Sequence, residues 1–155
     1  MHYLIRIISY GDTEEDAKEN VQLLLDRLCG ENMPFDWYNM EPDRYEDAGK
    51  TLPADSEKGT SLLEEGMKAT KHAFFEAISS IRKTLSVHTT DQIWANECDS
   101  LFRYALFSAG RYCGPGIYVY DDDGSGIRDD THYNNALTAW ADGSKVWVTA
   151  VDMHS

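Results

Sequence analysis

Apolar side chains occupy both faces of the segment Tyr3–Tyr10. Tyr3, Ile5 and Ile7 point one way, and Leu4, Arg6 and Ile8 the other. That pattern predicts a central strand, ended by Gly11 and Asp12. Thr13 can cap a helix whose first turn holds Glu14, Glu15 and Asp16, the charge sign favoured there. Ala17, Val21, Leu24, Leu25 and Leu28 then recur at helical spacing up to a stop at Gly30. Phe35–Met40 reads as a short aromatic strand. The stretch 41–57 carries Pro42, Gly49 and Pro53 among many charges, and reads as a long loop or insertion pinned by Trp37 and Tyr45.

Ser61-Leu62-Leu63-Glu64 fits a capping box. After it, Leu63, Met67, Thr70, Phe74, Ile78, Ile81 and Leu85 keep steps of three or four, with Phe75 widening the stripe. One long central helix is predicted, its stripe facing the core. Val87–Asn96 reads as irregular or briefly helical, anchored by Trp94. Leu101–Ala109 reads as a strand, Gly110–Gly116 as a turn and Ile117–Asp121 as the returning arm of a hairpin. A short helix over Thr131–Ala141 presents Tyr133, Leu137, Trp140 and Ala141 on one face. A last strand runs from Lys145 to Met153. If residues 11–57 are an insertion, the remaining order is βαββαβ, which resembles the ferredoxin-like split βαβ topology. The expected fold is α+β in a single domain, with a mainly antiparallel sheet of four to five strands and helices on one face.

The length of 155 residues suits one domain. No window of about 18 apolar residues predicts a membrane span, and the apolar start is too short for a signal peptide. A formal charge of -13 disfavours attraction to nucleic acid or anionic lipid. It fits a solubilising surface, life in high salt, or imitation of a polyanion that occupies a basic protein groove. Cys29, Cys98 and Cys113 are odd in number and form no CxxC pair, which points to a reducing, cytoplasmic setting.

The run Asp121–Asp130 places five carboxylates and two glycines between a strand and a helix. Asp121, Asp123 and Ser125 open a D-x-D-x-S-G pattern, and Asp129 follows. Hard cations such as calcium or magnesium take oxygen ligands from such loops. The match to a calcium loop fails at its last position, where His132 stands in place of Glu. Turn formation by Asp-Gly and Ser-Gly, with Asp129 and Asp130 at the next helix N-terminus, accounts for the same residues. A metal-dependent hydrolase or nuclease would add a base such as His132 or His88. His2 and His154 lie near the outer ends of strands that can be neighbours.

No phosphate-binding, dinucleotide, zincin or nucleophile-elbow motif occurs. Tyr104, Tyr118 and Tyr120 would line one face of the hairpin. With Trp37 they form a candidate protein-contact surface, because the surrounding charge argues against base stacking on RNA. The reading that follows is an acidic, non-catalytic protein-binding or regulatory module with no cofactor. The alternatives are the metal-dependent hydrolase and a structural subunit of a larger assembly. If the long-helix stripe is core, Phe74→Ala is expected to cost about 3–5 kcal/mol in a denaturation experiment.

Overall fold

A computed structural model describes residues 1–138 and 143–155. In chain order the elements are β1 (His2–Gly11), α1 (Glu14–Leu28), β2 (Trp37–Asn39), β3 (Thr51–Pro53), α2 (Glu57–Val87), α3 (Thr90–Trp94), α4 (Leu101–Gly110), β4 (Val119–Tyr120), α5 (Asp130–Thr138) and β5 (Lys145–His154). The fold is α+β. β1 and β5 pair antiparallel from His2 opposite His154 to Gly11 opposite Lys145. β4 runs parallel to β1 on its other side. Both β2 and β3 pair antiparallel with the free edge of β5.

Alternation along β1 divides the core. Ile5 and Ile7 face α1 and meet Val21, Leu24, Leu25 and Leu28. Ile8 faces the other way and meets Leu63 of α2 and Ala136 of α5. Burial of these side chains on both faces is the main stabilising term. Helices therefore cover both faces, where one face was expected. The two helices of the βαββαβ pattern, α2 and α5, do share a face. The extra layer is α1, which comes from the inserted segment. Likewise β5, β1 and β4 keep the split βαβ neighbour order, but the fourth strand of that pattern is absent.

Its place in the sequence forms α4. Asp99 receives the Leu101 amide on its side chain (2.9 Å) and the Phe102 amide on its carbonyl (3.0 Å), which starts a helix. Phe102 and Ala105, three residues apart, are then buried, and α4 packs against α2. Leu, Arg and Ala favour the helix. The hairpin therefore does not form. The 41–57 segment also differs from a plain loop, because β3 lies within it. Tyr45 ties it down by donating to the His2 carbonyl (3.3 Å). α2 begins a turn before the expected capping box. Ser56 caps it by accepting the Gly59 amide (3.1 Å), while Ser61 lies inside the helix and donates to Glu65. The expected helix end at 139–141 lies outside the described residues. No described helix is long and apolar enough to cross a membrane.

Along α2 the buried line is Leu63, Gly66, Thr70, Ala77 and Thr84. Its seven-residue steps from 70 to 84 match the close pairing of two helices. The bulky apolar residues fall beside this line. Phe74 is 37 % exposed, and Phe75 and Leu85 are more so. Phe74→Ala is thus expected to lose only about 1–2 kcal/mol by chemical denaturation, since much of the ring is already wet. Trp94, expected as an anchor, is 88 % exposed.

Where α2 crosses the sheet, a Cβ on Gly66 would stand 2.6 Å from Val119 Cγ2 and 2.9 Å from Arg6 Cδ. Alanine normally stabilises a helix interior by about 1 kcal/mol over glycine. Here the crowded Val119 and Arg6 are themselves buried, so overpacking wins. Gly66→Ala should destabilise by about 1–3 kcal/mol, read as a lower urea midpoint.

Candidate functional site

The acidic turn follows β4 and folds on itself. Asp121 Oδ1 accepts the amides of Asp123 (3.1 Å) and Ser125 (2.8 Å), while the Asp121 amide donates to the Ser125 carbonyl (3.0 Å). Asp121 Oδ2 lies 2.8 Å from His132 Nε2. Asp129 instead caps α5, its Oδ1 accepting the His132 amide (2.8 Å). Asp123 and Ser125 are exposed. The turn thus brings Asp121, Asp123 and Ser125 into one loop, and joins Asp129 to it only through His132. Among the described residues no group of three or more His, Cys, Asp and Glu side chains is placed to hold a metal ion. Nearby, burial pushes the Tyr10 hydroxyl up to about 12, with Asp122, Asp121 and Asp123 adding to the shift. That hydroxyl donates to the Ala136 carbonyl (2.5 Å).

A second cluster lies where β1, β5 and β2 meet. His2 and His154 are register partners with ring centroids 5.1 Å apart. Each Nδ1 lies 3.0 Å from a carboxylate, Asp152 for His2 and Asp36 for His154. Trp37 stacks on His154 at 5.1 Å with the planes 8° apart. The arrangement fastens β2 to the outer end of the central strand pair.

The four aromatic residues expected to share a surface separate into three places. Tyr120 is fully buried between α1 and the sheet, and its hydroxyl accepts the Gly114 amide (2.8 Å). It is removed from any contact surface because β4 points it inward, opposite Val119. Trp37 is at the β2 edge, on the far side of the sheet from β4. Only Tyr104 and Tyr118 come together. They line a groove of about 390 Å³ with Thr70, Phe74 and Ala77 of α2 and Ala105 of α4. Tyr118 is half-buried against Tyr3 (6.2 Å between centroids), and Tyr104 is exposed.

Around this groove the helices expose more apolar surface than their own packing requires. In α4, Leu101, Tyr104 and Phe107 are 61 %, 59 % and 64 % exposed, and Leu106 is exposed too. A helix apolar on every side belongs in an interior. Sequence reasoning missed Leu101, Leu106 and Phe107 because a hairpin would have placed alternate residues inside. Read at 100° per residue instead, the same segment has no polar face apart from Arg103 and Ser108. Cations sit on the aromatic rings at its rim. The Arg111 guanidinium lies 4.7 Å from the Phe107 ring, and that of Arg128 lies 4.8 Å from Phe74 and 5.6 Å from Tyr112. Cys113, half-buried nearby, has its thiol pushed up by burial, which disfavours the thiolate a nucleophile needs.

The loop bonds make Asp121 a structural residue of its turn. Asp121→Ala leaves two amides without their acceptor and is expected to cost about 1–3 kcal/mol in a thermal or urea melt. Asp123→Ala, whose side chain is exposed, should stay within about 0.5 kcal/mol of the parent.

No curated protein and no solved structure matches the chain. A family model matches it from end to end, over residues 1–155. The chain therefore belongs to the family described as Domain of unknown function (DUF7995).

Proposed function

We propose that this protein is a binding module that acts by contact with another polypeptide through α4 and the adjoining half of α2. The observation that carries this reading is the outward face of α4. Its Leu101, Tyr104 and Phe107 are exposed although Phe102 and Ala105 already serve its packing on α2. Contiguous apolar surface with aromatic and arginine residues at its rim is the composition of protein contact surfaces. The charge of -13 argues for a protein partner and against nucleic acid. Free cysteines at positions 29, 98 and 113 fit a cytoplasmic site of action.

Affinity capture with the tagged chain, compared with its Tyr104→Ser, Phe107→Ser form, tests the reading. Removing exposed apolar groups should leave the melting temperature within a few degrees of the parent, while the captured polypeptides disappear. An unchanged set of captured polypeptides would count against the arm as the contact surface.

A further inference from the structure

We propose that the polypeptide seated on this arm is a second copy of the same chain, in a two-fold antiparallel contact of α4 with α4. The inference deepens the reading above and rests on it. Three observations bear on the occupant.

The first is charge. Between Gly66 and Tyr120 the chain holds six Lys and Arg (68, 71, 82, 83, 103 and 111) against four Asp and Glu (76, 91, 97 and 99). The rest holds eight against twenty-three. Two copies meeting through any other large face would press acid on acid. Meeting through the arm puts the least acidic part of the chain in the contact, with Asp129 and Asp130 at its rim beside Phe74 and Phe75.

The second is the order of charges along α4. Glu97 and Asp99 precede it, Arg103 lies within it, and Arg111 follows it. A two-fold axis beside residue 105 sets Asp99 opposite Arg111 of the partner subunit. It also sets Arg103 opposite Phe107 of the partner subunit, a second cation for a ring that already carries one. In such a contact residue i meets j and j meets i, so each pairing occurs twice. Parallel pairing would bring like charges together.

The third is area and shape. The exposed apolar residues of α2, α3 and α4 present on the order of 1,000 Å² over more than one side, taking ~150–250 Å² for a whole aromatic side chain, and Leu101, Tyr104 and Phe107 share one side of α4. A stable interface takes about 800 Å² from each partner. Two helices from each copy would close a four-helix bundle around Tyr104 and Phe107, giving α4 the interior its composition calls for.

Light scattering on the purified 155-residue chain tests this. The expected mass is twice 17.6 kDa. Phe107→Glu should weaken the dimer by at least about tenfold, with the helical circular dichroism and melting curve of the free subunit intact. If that variant unfolds, Tyr104→Ser with Phe107→Ser supplies the same comparison without a new charge. A parent chain that stays at 17.6 kDa at every concentration and salt level overturns the proposal. So does a dimer indifferent to both variants. A monomeric parent whose captured polypeptides still vanish in the Tyr104→Ser, Phe107→Ser form would overturn self-association and leave the arm as a binding surface. A monomeric parent with nothing lost would overturn both.

Discussion

The pairing of β1 with β5 is the constraint on which the rest of the molecule depends. It joins the two ends of the chain over their whole strand lengths. Both strands carry apolar side chains on both faces, so each needs cover above and below. α1 supplies one cover, and α2 with α5 supplies the other. Every further strand is short and attaches to one of these two, β4 to β1, and β2 and β3 to β5. A slip of one residue in the central register would turn Ile5 and Ile7 toward α2 and bring Arg6, already short of partners in its buried position, against α1. The register is thus held by the cost of exchanging these two sets of side chains.

The elements legible in the sequence are those whose pattern is local. α1 shows a cap at Thr13 and five buried residues at the expected positions, and Asp16 adds a capping box that the charge pattern alone did not predict. β1 and β5 were readable from their alternation, and with them the meeting of His2 and His154. The segment 101–109 was misread because Leu, Phe, Tyr and Leu at mixed spacing satisfy a strand and an all-round apolar helix equally. The Asp99 turn and helix-favouring Leu, Arg and Ala start the helix locally, and packing of α4 on α2 beside Ala77 completes it. The neighbour that α4 packs against lies outside any window of sequence around it. The same distance hides the fate of the α2 stripe, which is a correct helix signal attached to the wrong neighbour. Of the candidate site, Tyr104 was legible as an exposed aromatic, whereas Tyr118 is half-buried and Tyr120 lies in the core because helices cover both faces of the sheet at β4.

Charge and hydrophobicity are separated along this chain to an unusual degree. The α1 surface, the 41–57 segment and the 121–130 turn hold most of the carboxylates. The two-helix arm holds most of the large exposed apolar residues. The acidic turn spends Asp121 on its own backbone amides, so its outward charge is carried by Asp122 and Asp123. On the arm, Arg111 and Arg128 lie on the Phe107 and Phe74 rings.

The 126–127 segment folds back along β4, where the Ile127 amide donates to the Val119 carbonyl (2.9 Å) and Gly126 bridges Tyr120. Outward-pointing backbone groups on that border of the sheet are thereby occupied from within. Such borders are where misassembled chains add strand upon strand. On this border, therefore, a further strand finds few backbone groups left to pair with. The opposite border is made of the two three-residue strands β2 and β3, too short to template a long added strand.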